Sequence, residues 1–123
     1  MILVDSCGWL EYLADGPHAA AYAKALEKLN KVLVPTICIH EVFKKVLQER
    51  GEGPALEVAA LMQRGSVVEL DATIAMNAAK LGSELGLPLA DSVILATARA
   101  HHAPVWTQDT HFKGLSGVRF ISA

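Results

Sequence analysis

Short apolar runs alternate with helix-length segments along this chain, and no other feature restricts its fold as much. Met1 to Val4 is a continuous apolar run, the pattern of a strand covered on both faces, as in a parallel sheet. It stops at Asp5-Ser6, after which Trp9, Leu10 and Leu13 recur at helical spacing. A second helix is expected from Pro17, a good first-turn residue, to about Asn30. Val32–Pro35 reads as a short strand. Thr36–Arg50 reads as a helix closed by Gly51, with Ile39, Val42, Phe43, Val46 and Leu47 on one stripe. Gly53-Pro54 opens another helix, to about Gln63, and Val67–Leu70 suits a strand. Asp71 caps an Ala-rich helix to about Leu85, with Gly86 where a glycine often ends one. After Pro88 an apolar helix is expected over Ala90–His102, then strands at Pro104–Thr107 and Val118–Ser122. This order predicts a three-layer α/β/α fold. Its central sheet is expected to be mainly parallel, with four or five strands and right-handed crossovers. In such folds ligands bind beyond the carboxyl ends of the strands.

The 123 residues are expected to form one domain, 1–123. A hydrophobic share of 52% with 20% charged residues excludes a disordered chain. The longest apolar runs fall well short of the roughly 18 residues that would suggest a membrane span. The N-terminal stretch has neither a basic start nor a small-residue cleavage site, so no signal peptide is expected. Cys7 and Cys38 do not make a disulfide framework, and a reducing cytoplasm is the expected compartment. With 11 Lys+Arg against 13 Asp+Glu, the formal charge of −2 excludes a basic carpet for nucleic acid. It leaves room for a local basic rim around a metal-loaded acidic site.

Four acids fall where a parallel sheet would expose ligands. Asp5 follows the first strand, and Asp109 follows the Val105–Thr107 strand by two residues. Asp91 opens a helix, and Glu41 lies early in the helix after Val32–Pro35. Carboxylates brought together without compensation repel one another. A hard divalent cation such as Mg²⁺ or Mn²⁺ is the natural counterweight. Such an ion can activate water and stabilise charge on a phosphoryl oxygen. Each acid also has a plainer role. Asp5 and Asp109 suit helix caps or turns. Glu41 lies nearly opposite the Ile39/Phe43/Val46 stripe, beside Lys44, Lys45 and Gln48, where a solvated ion pair is the default. Asp91 differs, because its wheel position flanks Ile94 and lies near Ala98 on the apolar side. An inward acid needs a partner or an ion.

Together these residues resemble the PIN domain family, and within it the VapC-type toxins of prokaryotic toxin–antitoxin pairs. The resemblance runs the length of the chain. Its specific parts are Leu87-Pro88-Leu89-Ala90-Asp91 and Thr107-Gln108-Asp109-Thr110-His111-Phe112. It implies a metal-dependent endoribonuclease with Asp5, Glu41, Asp91 and Asp109 as the catalytic, metal-holding acids. Thr107 matches a family Ser/Thr whose hydroxyl can bond a carboxylate or a metal water, and Ser6 matches the small hydroxyl residue after the first acid. Cys7 stands where the family often has Ser, and His40 where it usually has a small or apolar residue. The resemblance further implies one or two Mg²⁺ or Mn²⁺ ions and hydrolysis of RNA, tRNA or rRNA, by activated water with no protein nucleophile. It implies a cognate VapB-type antitoxin whose C-terminal segment covers the groove and brings an Arg to the acids. Homodimers are implied too, with Gly53–Gln63 and Asp71–Leu85 as candidate interface helices.

Other readings carry less. His40-Glu41 begins a zinc-protease motif that fails at Lys44. Gly51-Glu52-Gly53 follows a helix rather than a strand, which suits a turn better than a dinucleotide loop. Cys7 sits at a helix start, which can lower a thiol pKa, but no base is placed beside it. His101-His102 ends a helix with no Cys pair nearby for zinc. Lys44, Lys45 and Lys113 are the basic residues best placed for RNA phosphates, and the remaining cations are read as solvated surface. A phosphoacceptor receiver domain would need an acceptor Asp after the third strand and a Lys after the last, and Asp71 and Ser122-Ala123 do not supply them. A PIN-like scaffold that binds RNA or protein without cleaving would not need a cation cage. Taking the four acids as neutralised by metal leaves nine against 11 basic residues, a mildly positive protein suited to RNA focused at one site.

Overall fold

The strand order decides where chemistry can occur, and it follows from which apolar runs are covered on both faces. The computed structural model describes residues 1–122; Ala123, the last residue of the expected domain, lies outside them. Five parallel strands form one sheet: β1 (Ile2–Val4), β2 (Val32–Pro35), β3 (Ser66–Val68), β4 (Val105–Thr107) and β5 (Val118–Phe120). Their order is β3-β2-β1-β4-β5. Leu3 lies opposite both Leu33 of β2 and Val105 of β4. Leu3, Val4, Val32, Val34 and Val105 are wholly buried, which is why these strands are continuously apolar rather than alternating.

Six helices cover the sheet in a three-layer arrangement. They are α1 (Ser6–Leu13), α2 (Ala19–Ala25), α3 (Thr36–Arg50), α4 (Glu52–Met62), α5 (Ala72–Leu85) and α6 (Leu89–Ala100). The main core gathers Trp9, Tyr22, Met62, Ile94, Leu95 and Phe112 around the strands, and a smaller cluster of Ile74, Ala78, Val93 and Ala96 joins α5 to α6. No helix among the described residues is long and apolar enough to cross a membrane.

Several boundaries and one helix face differ from expectation, and the last strand ends at Phe120 rather than Ser122. The helix expected from Pro17 to Asn30 is α2 alone, followed by a separate 3-10 turn at Leu29–Lys31. Leu26 is buried beside the core, and the chain must then enter β2 at Val32, opposite Ile2. A continued helix would carry it past that point. The third strand is Ser66–Val68 rather than Val67–Leu70, because its three residues pair with Leu33, Val34 and Pro35 of β2. The helix α6 ends at Ala100, not His102: the N–H groups of His101 and Ala103 both reach the Ala98 carbonyl, and His102 turns through the left-handed region (φ 52°). Leu47 leaves the expected stripe and is exposed, while Cys38, Val42 and Val46, spaced by four, form the buried ridge of α3.

The chain lays β1, β2 and β3 outward in one direction, then returns past β1 to lay β4 and β5 in the other. The order therefore reverses between β1 and β4. A crevice forms at such a reversal, at the carboxyl ends of the strands. Asp5 directly follows β1, and Asp109 lies just beyond β4.

Candidate metal centre

Asp5 is held from all sides. It caps α1, with its Oδ1 accepting the Gly8 N–H at 3.0 Å. The Thr107 hydroxyl donates to its Oδ2 at 2.6 Å, across from β4. The Cys7 thiol donates to the same carboxylate, 3.0 and 3.2 Å from its two oxygens. Asp5 is only 3% exposed, and burial pushes its carboxyl above the ordinary range. The Cys7, Thr107 and Gly8 donors oppose that shift, and the charge of Asp109 adds to it.

Thr107 also links the two strand ends. Its Oγ1 accepts the backbone N–H of Asp109 at 2.9 Å while donating to Asp5. Thr107 is wholly buried, so both bonds form away from water. The Asp109 Oδ1 in turn accepts the His111 N–H at 2.9 Å and caps the 3-10 turn Thr110–Phe112. Asp5 and Asp109 are thus both caps, joined through Thr107.

Asp91 sits in the first turn of α6, with its side chain 13% exposed. Its Oδ2 lies 2.9 Å from Nδ1 of His111, and that nitrogen is also 3.0 Å from Oδ1 of Asp109. One ligand atom from each of the three residues falls within 4.8 Å of the other two. Burial first, and then the charge of Asp109, pushes Asp91 up to about 6, with His111 opposing. A carboxyl disfavoured by burial and by the charge of a neighbouring carboxylate, with an imidazole beside both, is a donor set that a divalent cation relieves, so these residues fit such an ion.

Glu41 stands at the edge of this group. It is half-buried and accepts the Ser6 hydroxyl at 2.6 Å, which ties α3 to the residue after Asp5. The lysine pairing expected of Glu41 is not what forms: Lys45 pairs with Glu49 at 3.0 Å. Lys44 and Lys45 line an open groove of about 400 Å³ with His40, Glu41, Leu89 and Ala90, next to Asp91. Lys113 lies elsewhere, 5.5 Å from the centre of the Phe120 ring.

Two participants were not expected. His111 lies inside the quoted C-terminal motif, but nothing local indicates that its ring turns toward Asp91. Its spacing of two from Asp109 at a turn is the only sequence signal. Cys7 stands at a helix start where the family often has Ser. It is a third donor to Asp5, a structural role, and burial with the Asp5 charge pushes its thiol up to about 12. The helix start does not activate it, so it is no nucleophile at neutral pH.

A PIN domain profile matches residues 2–118. No curated protein matches the chain. Among solved structures, the chain resembles a toxin–antitoxin complex from Klebsiella pneumoniae (TM-score 0.80, 24% identity, covering 97% of this chain and 96% of that one). It also resembles the sarcin–ricin-loop-cleaving toxin VapC20 of Mycobacterium tuberculosis (TM-score 0.78, 18% identity, 96% and 97% covered). A third likeness is to FitAcB from Neisseria gonorrhoeae (TM-score 0.66, 28% identity, 98% and 97% covered).

Proposed function

The chain belongs to the PIN domain family, and from that premise we propose that it is a metal-dependent endoribonuclease, the toxin of a VapBC-type pair. The observation that carries this reading is the convergence of Asp91, Asp109 and His111, with ligand atoms within 4.8 Å of one another, at the reversal of strand order. A divalent ion there, Mg²⁺ or Mn²⁺, would supply Lewis-acid activation of water and stabilisation of the charge that develops on a phosphoryl oxygen. Asp91 and Asp109 would hold the ion, with Asp5, joined to Asp109 through Thr107, as the third acid of the set. Thr107, Cys7 and the Gly8 N–H keep Asp5 in one orientation. Ser6 does the same for Glu41, which faces the groove edge. Lys44 and Lys45 run along that groove and bind the phosphates flanking the scissile one. Lys113 offers a more distant phosphate contact.

The substrate is structured RNA, with tRNA or rRNA implied by the family; the structurally similar Mycobacterium tuberculosis toxin cleaves the sarcin–ricin loop. The partner is a cognate VapB-type antitoxin, a reading supported by the likeness to the Klebsiella complex. The protein works as a single PIN domain over 1–123, as a homodimer, in a prokaryotic cytoplasm.

The test compares wild type with Asp5→Asn and Asp91→Asn on a panel of structured RNAs, with Mn²⁺, with Mg²⁺ and with EDTA. Cleavage by wild type with either metal, lost in both variants and in EDTA, is expected. Cleavage that persists in EDTA or in either variant rules the metal-nuclease reading out. Growth arrest on expression, relieved by the neighbouring small gene product, tests the toxin role separately.

A further inference from the structure

We propose that His111 is a nitrogen ligand of the divalent ion held by Asp91 and Asp109, and that it biases the site toward transition metals over Mg²⁺. This rests on the metal-nuclease reading and adds a ligand that the acidic set does not contain.

The backbone places His111 firmly. Its N–H is bonded to Asp109 at 2.9 Å, and the next residue, Phe112, is wholly buried in the core. The turn is therefore pinned on both sides while the ring stands outside, 56% exposed, at the mouth of the site. An exposed histidine with no function would be free to turn into water. This one directs Nδ1 at both acids, 2.9 and 3.0 Å away.

Those distances suit coordination. With metal–ligand bonds of about 2.1 Å, adjacent corners of an octahedron lie about 3.0 Å apart. An ion could therefore take the place of the direct contacts between His111 and the two carboxylates, whose ligand atoms all lie within 4.8 Å of one another. The exposed side of the site would remain open for waters and a phosphate. Mg²⁺ prefers oxygen donors and keeps its waters, whereas imidazole nitrogen favours ions further along the series from Mn²⁺ to Co²⁺ and beyond.

The opposing role on the same geometry is a partner of the acids that any incoming ion displaces. The two roles predict opposite results. Metal-free protein is titrated with Mn²⁺, Co²⁺ and Mg²⁺ by calorimetry, as wild type, His111→Ala and Asp91→Asn. Pulsed electron paramagnetic resonance of the Mn²⁺-loaded protein reads nitrogen coordination directly. Wild type should show a ¹⁴N coupling that is absent in His111→Ala. In that variant Co²⁺ affinity should fall about 10-fold or more, Mn²⁺ by a smaller factor, and Mg²⁺ by less than about 2-fold. No ¹⁴N coupling in Mn²⁺-loaded wild type, equal weakening of all three ions, or tighter binding in His111→Ala would each overturn the proposal. In those cases loss of binding in Asp91→Asn would leave the acidic metal site standing. Absence of binding by wild type would overturn both readings.

Discussion

Asp91 shows what the acidic cluster costs a fold that holds no ion. Its carboxyl is raised to about 6, mainly by burial, from an ordinary value of 3.8. A group raised in the folded state favours the protonated form there, so its contribution is complete below pH 3.8 and is lost as pH rises through about 6. In EDTA, the Asp91 contribution should therefore make the protein harder to denature at pH 5 than at pH 7.5. The expected difference is about 1–2 kcal/mol, allowing for solvent near the site. Asp91→Asn removes the charge, so it should flatten this part of the profile and stabilise the metal-free fold at pH 7.5 while abolishing cleavage. Denaturant titrations of both proteins across that range check it, and an unchanged profile in the variant would place the cost elsewhere. The inward direction of Asp91 was legible because it follows from the helical wheel alone. The wheel misled at Glu41, which is held by Ser6 from 35 positions away rather than by its lysine neighbours. His111 was not legible for the same reason: its partner Asp91 is on another element, and local periodicity carries no record of such contacts.

At the scale of elements, the seat of α1 sets the geometry of the site. Gly8 lies in its first turn, where a Cβ would come within 2.6 Å of Cε1 of Tyr22 and 2.7 Å of Cγ1 of Val4. Tyr22 is wholly buried and cannot withdraw, so α1 itself would have to lift. Helix propensity alone would favour Gly8→Ala by about 1 kcal/mol. Overpacking costs typically about 1–3 kcal/mol, so the expected sign is net destabilisation. The same lift would pull the Gly8 N–H from Asp5, so divalent-ion affinity should fall with stability. Unfolding and metal titration of the variant read the two effects, and a stabilised protein with unchanged affinity would show that α1 accommodates the methyl. The helix as an element was readable from Trp9, Leu10 and Leu13. Its close approach to α2 was not, because it depends on Tyr22, which lies on the next helix. Helix ends were the least legible part, as at Leu26 and Ala100, where the path to the next strand overrides local propensity.

For the whole molecule, alternation of strands and helices was enough to predict a parallel sheet, but not the order of its strands. That order brings the ends of β1 and β4 side by side, and with them Asp5 and Asp109. The same arrangement leaves unequal outer faces on the two helices expected to form a homodimer. The α4 surface presents one large exposed apolar residue, Leu56. Around α5, Met76 and Leu85 are exposed, and Leu70 and Leu89 flank an apolar hollow of about 280 Å³ floored by Ala75, Ala78, Ala79 and Gly82. Small residues in such a hollow let a second surface approach closely, and several neighbouring apolar side chains offer more burial than one. The α5 side is therefore the expected dimer face. In size-exclusion chromatography with light scattering, wild type should run at twice the monomer mass. Leu70→Lys combined with Ala79→Glu should shift it to monomer, while Leu56→Lys should not. Monomerisation by Leu56→Lys alone would move the interface to α4. Because Leu89 borders both this hollow and the groove lined by Lys44 and Lys45, a dimer joined there would hold its two RNA grooves next to the shared face. Cleavage of a long structured RNA should then fall further on monomerisation than cleavage of a short one, which needs only one groove.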